Sequence, residues 1–257
     1  MRGAGEPLLV SHGIFQGSDG ALLSTRDLTQ GRRVIAPSRF GYLGSALPPA
    51  ATPAAQADAF VELLDHLQIH RIDVVGTSAG ATAALQFGLR HPARVEHLVI
   101  VSGNLPGGRT AVAQPPWVKL LYRDWAMWAL KVSSPTLLAR LAGVPAGFPR
   151  NSDQERFVAE FIDTLFPIAV RAEGISFDAF ISNPDVNRYP LERLTVPTLL
   201  IHAKDDPLAS YEAAVDAAER IPGAILVTLE SGGHLGLGQE ERMRTEVGAF
   251  VAEKVAV

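Results

Sequence analysis

The sequence predicts an α/β protein: a mostly parallel sheet of about six strands, helices on both of its faces and one helical insertion. Three patterns lead there. Short apolar runs rich in β-branched residues recur between Gly, Pro and Asp, as strands buried on both faces do. Stretches of helical period separate most of them, and parallel neighbours need crossovers of a dozen or more residues. The alternation then breaks once, over residues 105–190, where apolar residues keep helical spacing and no strand run occurs.

In chain order the strand runs are residues 7–11, 33–36, 72–75, 95–101, 197–202 and 224–229, and the helical stretches are 21–30, 53–67, 79–90, 208–220 and 240–254. The stretch from Pro53 carries the plainest signals. Thr52 is placed to cap it, proline suits the first helical position, and Ala57, Phe60, Val61, Leu64 and Leu67 make one apolar stripe. The sheet domain thus comprises residues 1–104 and 191–257, with 105–190 as a helical cap. All three tryptophans lie in the cap, and Trp117, Leu121, Trp125 and Trp128 follow helical spacing. Such rings build the core of a small helical layer, or line an apolar pocket over the sheet. Trp125 and Trp128 are the cap candidates for the pocket, with Phe15 from the sheet domain.

Composition narrows the function. The 257 residues are 47% hydrophobic and 19% charged, which suits a compact enzyme and not a disordered chain. With 23 Lys and Arg against 27 Asp and Glu, the net charge of −4 provides no footprint for nucleic acid. The absence of cysteine excludes disulfides, thiol nucleophiles and Cys-based metal sites. The start MRGAGEPLLV lacks the long apolar region of a signal peptide, and the uncharged residues 40–57 are interrupted by prolines. A soluble, cytoplasmic protein with no membrane span is the expectation.

One motif carries chemistry. Gly76-Thr77-Ser78-Ala79-Gly80 follows a strand and opens a helix, the setting in which G-x-S-x-G lifts a serine hydroxyl clear of the sheet. A phosphate-binding turn is the rival reading, but no Lys follows at P-loop spacing and G-x-G-x-x-G is absent. A serine nucleophile needs a base, and the base needs a partner that fixes its tautomer. His234, in the glycine-rich Ser231-Gly232-Gly233-His234-Leu235-Gly236 after the last strand, is the best-placed base. Asp205 and Asp206, after the strand ending at His202, are the candidate acids. The developing oxyanion needs two backbone donors. Ala79 offers one and Ile14, after the first strand, the other, with Phe15 or Gly13 as substitutes; His12 reads as an organiser of that loop. His66 and His70, four apart at a helix end, read as solvated and not as metal ligands.

These motifs resemble the α/β-hydrolase superfamily over nearly the whole chain. The resemblance rests on Pro7-Leu8-Leu9-Val10-Ser11-His12-Gly13, on the elbow, on the acid and His loops, and on Ala36-Pro37-Ser38-Arg39-Phe40-Gly41-Tyr42-Leu43-Gly44-Ser45. The last is similar to the family's APDxRGxGxS, with Ser38 in the place of Asp and a loop hydrogen bond altered accordingly. In His202-Ala203-Lys204-Asp205-Asp206-Pro207 the family's register selects Asp206 as the acid. The resemblance implies a hydrolase fold with a Ser78, His234, Asp206 triad, no cofactor and no metal. Serine at the elbow disfavours the branches with an Asp nucleophile. It further implies hydrolysis of an ester or lactone with an apolar portion. C–C bond hydrolysis, thioester hydrolysis, acyl transfer, haloperoxidase-like chemistry and a non-catalytic binding role are the alternatives. Relatives carry a strand pair before the first strand here, yet only six residues precede Pro7. The strand at 33–36 is therefore expected at an open edge, where a second copy can pair, with Arg32 and Arg33 as charge guards.

Overall fold

The computed structural model describes residues 1–109, 119 and 122–252. Strands β1 (Pro7–Ser11), β2 (Arg33–Ile35), β3 (Ile72–Thr77), β4 (Val95–Val101), β5 (Thr198–Ala203) and β6 (Ile225–Leu229) form one sheet in the order β2-β1-β3-β4-β5-β6. Every neighbouring pair is parallel. Each strand matches a run read from sequence to within a residue or two. The agreement has a physical basis, because strands covered on both faces must be apolar at consecutive positions and so stand out from their surroundings.

Helices α2 (Pro53–His66), α3 (Gly80–Arg90) and α8 (Tyr211–Arg220) cover one face, and α1 (Ser18–Ser24) and α9 (Glu240–Ala252) the other. Alternate strand residues feed the two cores: Leu9, Val74, Leu98 and Leu200 pack on the first side, Leu8, Val75, Val99 and Leu199 on the second. Thr52 caps α2 as expected, its hydroxyl accepting the Ala55 N–H at 3.0 Å. α1 is earlier and shorter than the expected 21–30. It ends at Thr25, whose hydroxyl donates back to the Ala21 carbonyl at 2.7 Å, a bond that competes with continued helix.

Between β4 and β5 the chain leaves the sheet for α4 (Asp124–Ser133), α5 (Pro135–Leu141), α6 (Ser152–Asp163) and α7 (Ala172–Phe177). A π turn, Asp178–Ser182, continues directly from α7. This helical layer has its own apolar core, built on Met127, Leu138, Phe161 and Ile168 and joined by Tyr42 from the sheet domain.

The edge differs from expectation in detail. β2 is the edge strand, but the outward N–H and C=O of Val34 are both bonded to Arg2, at 2.8 and 3.0 Å. Arg32 is not a charge guard. Its guanidinium turns inward to the Asp73 carboxylate and the carbonyls of Glu6 and Pro7, while Arg33 stays exposed. A buried carboxylate on β3, one strand beyond β1, is a stronger attractor than solvent.

Candidate active site

The strand order places β1 and β3 side by side, with Ser11 opposite Gly76, so the loops leaving both strands meet at the carboxyl end of the sheet. Ligands of open α/β sheets bind in this crevice. Ser78 follows β3 with φ 51°, a left-handed conformation that costs a non-glycine residue about 1–3 kcal/mol. Surrounding bonds hold it there: its N–H donates to the Val101 carbonyl at 3.1 Å and its carbonyl accepts the Asn104 N–H at 2.9 Å. The flanking glycines are needed for contact. A Cβ on Gly76 would lie 2.7 Å from the Ala84 Cβ, and one on Gly80 only 2.0 Å from the Ser11 carbonyl oxygen.

His234 follows β6 and Asp206 follows β5. The His234 Nδ1 donates to the Asp206 Oδ2 at 2.8 Å. A carboxylate can only accept, so Nδ1 carries the proton and Nε2 is left as a base. The other carboxylate oxygen accepts the N–H groups of Leu208 and Ala209 at 2.8 and 3.0 Å. Burial pushes the Asp206 carboxyl up, but His234 and His202 outweigh it and hold the group well below the usual carboxylate range. His202 is a contact the sequence did not reveal: its Nε2 stands 3.3 Å from Oδ2, so the carboxylate receives two imidazoles. Asp205 has a different task. Its oxygens accept the N–H groups of Gly232 and Gly233 at 3.2 and 2.9 Å and so secure the loop that carries His234.

The helical layer touches this loop at Gly143, whose carbonyl accepts the His234 N–H at 2.9 Å. With φ 99°, Gly143 sits where a Cβ would be 2.2 Å from the His234 Cβ. Gly143→Ala is therefore expected to lower Tm by several degrees, at about 2–4 °C per kcal/mol for a chain of this size, and to lower kcat by displacing His234. A variant with wild-type Tm and kcat contradicts this packing.

The loop after β1 carries the backbone N–H groups expected as donors. The Gly13 N–H is already given to the Gln16 Oε1 at 2.8 Å, and the Phe15 N–H lies against the Tyr42 hydroxyl. The N–H groups of Ile14 and Ala79 have no such partner among the described residues, and both residues line the cavity that Ser78 and His234 line. His12 is fully buried. Its Nε2 accepts the Arg39 N–H at 2.9 Å, leaving the Nδ1 proton for the Gly13 carbonyl at 2.8 Å. Burial and the Arg39 charge hold its pKa well below the ordinary value, so it is neutral. Ser38 binds locally: its hydroxyl oxygen accepts the Ser18 N–H at 3.2 Å and its carbonyl the Ser45 hydroxyl at 2.8 Å.

The cavity measures about 300 Å³. Its walls are mainly apolar, including Phe15, Leu28, Met127, Leu138 and Phe161, and neither Lys, Arg, Asp nor Glu lines it among the described residues. Tyr122 also lines it, and burial followed by the charge of Asp178 pushes its phenol up to about 12. Ser78 and His234 are not yet hydrogen-bonded to each other, as is common before a substrate aligns such a pair.

Trp125 and Trp128 do not line this cavity. α4 turns Met127 inward and leaves the two tryptophans 65% and 62% exposed, beside a separate surface depression with Phe166 and Pro167. Spacing of three shows that two side chains share a helix face, but not which face meets the core. Trp117 and Leu121 lie outside the described residues. Among the described residues no cluster of three or more His, Asp or Glu has metal-binding geometry, and no helix is long and apolar enough to cross a membrane.

A strand-turn-helix serine, a His–Asp pair from later strand ends and a helical layer over the sheet place the chain in a broad class of hydrolases. Residues 6–241 match the family model for the α/β-hydrolase fold, and the chain belongs to that family. It is 30% identical to a 2-hydroxymuconate semialdehyde hydrolase of Pseudomonas putida, over 100% of this chain and 90% of that one. Its fold is similar to that of an α/β-hydrolase fold protein from Nakamurella multipartita, with 26% identity, TM-score 0.74 and coverage of 98% and 94%. An esterase from Exiguobacterium antarcticum shares the fold at TM-score 0.74 and 20% identity, over 98% of this chain and 94% of that one.

Proposed function

We propose that the protein is a cofactor-independent serine hydrolase that cleaves an uncharged ester or lactone with an apolar portion. The observation that carries this reading is a mainly apolar cavity, with no Lys, Arg, Asp or Glu among its described lining residues, that Ser78, His234, Ile14 and Ala79 line together. In the proposed cycle Ser78 Oγ attacks the carbonyl carbon as His234 Nε2 takes its proton. The oxyanion accepts the N–H groups of Ile14 and Ala79. Collapse expels the alcohol, which takes the proton from His234, and leaves an acyl-Ser78. Water, deprotonated by His234, then attacks the acyl carbon, and Ser78 recovers the proton as the acid departs. Asp206 remains ionised and holds the imidazolium. Small-molecule sites span about 300–1,000 Å³, and the cavity volume stands at the small end of that range.

A C–C bond hydrolase is the second reading, favoured by the relative named for 2-hydroxymuconate semialdehyde. The lining speaks against it, because no Lys or Arg among the described lining residues stands ready to pair with a carboxylate held there. Transferring an unpaired carboxylate into such a site costs several kcal/mol. A series of p-nitrophenyl esters of increasing chain length, set beside half-esters of dicarboxylic acids of equal length, tests both readings. Neutral esters are expected to be preferred about 100-fold or more in kcat/KM, equivalent to roughly 2.7 kcal/mol. Preference for the charged half-esters would overturn the proposal, as would absence of turnover across the series.

A further inference from the structure

The oxyanion loop is held from outside by a buried polar chain that begins in the helical layer. Asp178 opens the π turn after α7, and its carboxylate accepts both terminal nitrogens of Arg39, at 2.8 and 2.5 Å, and the Tyr42 hydroxyl at 2.6 Å. Arg39 and Asp178 are 1% and 0% exposed. Arg39 reaches His12 twice: Nε donates to the His12 carbonyl at 2.9 Å, and its backbone N–H donates to the His12 Nε2 at 2.9 Å. This fixes the imidazole tautomer and commits the Nδ1 proton to the Gly13 carbonyl at 2.8 Å.

The last bond, shorter than the 3.4 Å bond from the Gln16 N–H to the same oxygen, bears on the direction of a donor. The Gly13 carbonyl and the Ile14 N–H belong to one planar trans peptide, in which C=O and N–H point in opposite directions. Whatever holds the Gly13 oxygen therefore aims the Ile14 N–H. The Tyr42 ring packs edge-on against the His12 ring, with centroids 4.8 Å apart, and prevents the imidazole from swinging away. Tyr42 is in turn enclosed by α7, since a Cβ on Gly174 would lie 2.2 Å from its ring.

We propose that Asp178 is a positioning residue for the oxyanion hole, acting through Arg39 and His12 to aim the Ile14 N–H at the reacting carbonyl oxygen. The inference rests on the reading of Ile14 as an oxyanion donor. A buried ion pair is by itself weak evidence for stability, since apolar replacements of matching size are often neutral or stabilising. What such replacements cannot supply is the Nε–H donor on the His12 carbonyl, while the backbone N–H at position 39 stays on the His12 Nε2.

The test uses the paired variant Arg39→Met with Asp178→Leu, which removes both charges at once, and Tyr42→Phe, which spares the ion pair and removes one hydroxyl. In the paired variant kcat for ester hydrolysis is expected to fall 10-fold to 100-fold with KM within about twofold, the pattern of an interaction made in the transition state. The rate of Ser78 phosphonylation should fall in parallel, and hydrogen exchange should rise at the amides of residues 12–16 while β3, β4 and β5 stay protected. Tyr42→Phe should show the same changes in weaker form. If the paired variant does not fold, Asp178→Asn, which keeps the shape and removes the charge that holds Arg39, decides instead: unchanged kcat and unchanged exchange at 12–16 overturn the proposal. A wild-type protein that hydrolyses no ester refutes the functional reading instead, and the exchange measurement still decides whether the chain of contacts holds the loop.

Discussion

Ser78→Ala is expected to lower kcat for ester hydrolysis by about 10⁶-fold, the size of the loss when a serine protease is deprived of its nucleophile. KM should change little, because the Oγ contributes no binding area comparable to that of the apolar walls. The fold should survive, since the bonds that hold position 78 in its left-handed conformation run through its backbone N–H and carbonyl. Steady-state kinetics on a p-nitrophenyl ester, with circular dichroism as the folding control, measure both parts. Residual activity above about one part in 10³ would point to another nucleophile, because loss of the only nucleophile is expected to leave about one part in 10⁶ of the wild-type kcat.

Asp206→Asn is expected to lower kcat by about 10⁴-fold, the effect of the matching change in a serine protease. An amide presents a donor to His234 and favours the tautomer with its proton on Nε2, where a base is needed. Asp205→Asn should cost far less, about 10-fold at most in kcat. One oxygen remains there to accept a Gly232 or Gly233 N–H, and the imidazole keeps its partner. Kinetics on the two variants side by side separate the roles, and a larger loss at Asp205 would contradict the assignment. The acid side of the stability profile follows from the depressed pKa of Asp206. Its contribution is complete above the unfolded value of about 3.9 and is lost only as pH falls through the lower folded value.

The strands were legible because their pattern is local: consecutive apolar, β-branched residues in a sheet covered on both faces. The elbow was legible for the same reason, since Gly76, Ser78 and Gly80 stand within one turn and each has a steric or chemical need that sequence displays. Contacts between distant segments were not. Arg39 and Asp178 are 139 residues apart, and no spacing connects them. The clearest sequence sign of Arg39 was its place in a motif, which says that a basic residue belongs there but not what it grips. His202 was visible only as a strand-end residue until β5 and β6 came together around Asp206. The adjacent Asp205 and Asp206 diverge because one faces the imidazole and the other the glycine amides, a difference that two like residues in sequence do not express. The outward turn of Trp125 and Trp128 belongs to the same group: period locates a face, and only tertiary packing decides which face is buried.

On the proposed reading Ser78 is a nucleophile activated in this cavity. The most direct test of that role is a fluorophosphonate probe, in which the serine oxygen displaces fluoride at phosphorus, followed by intact-mass measurement and peptide mapping. The wild-type protein is expected to gain one adduct, on the peptide that carries Ser78, and Ser78→Ala to gain none. Folded wild-type protein that stays unlabelled, or an adduct on another residue, would contradict the claim.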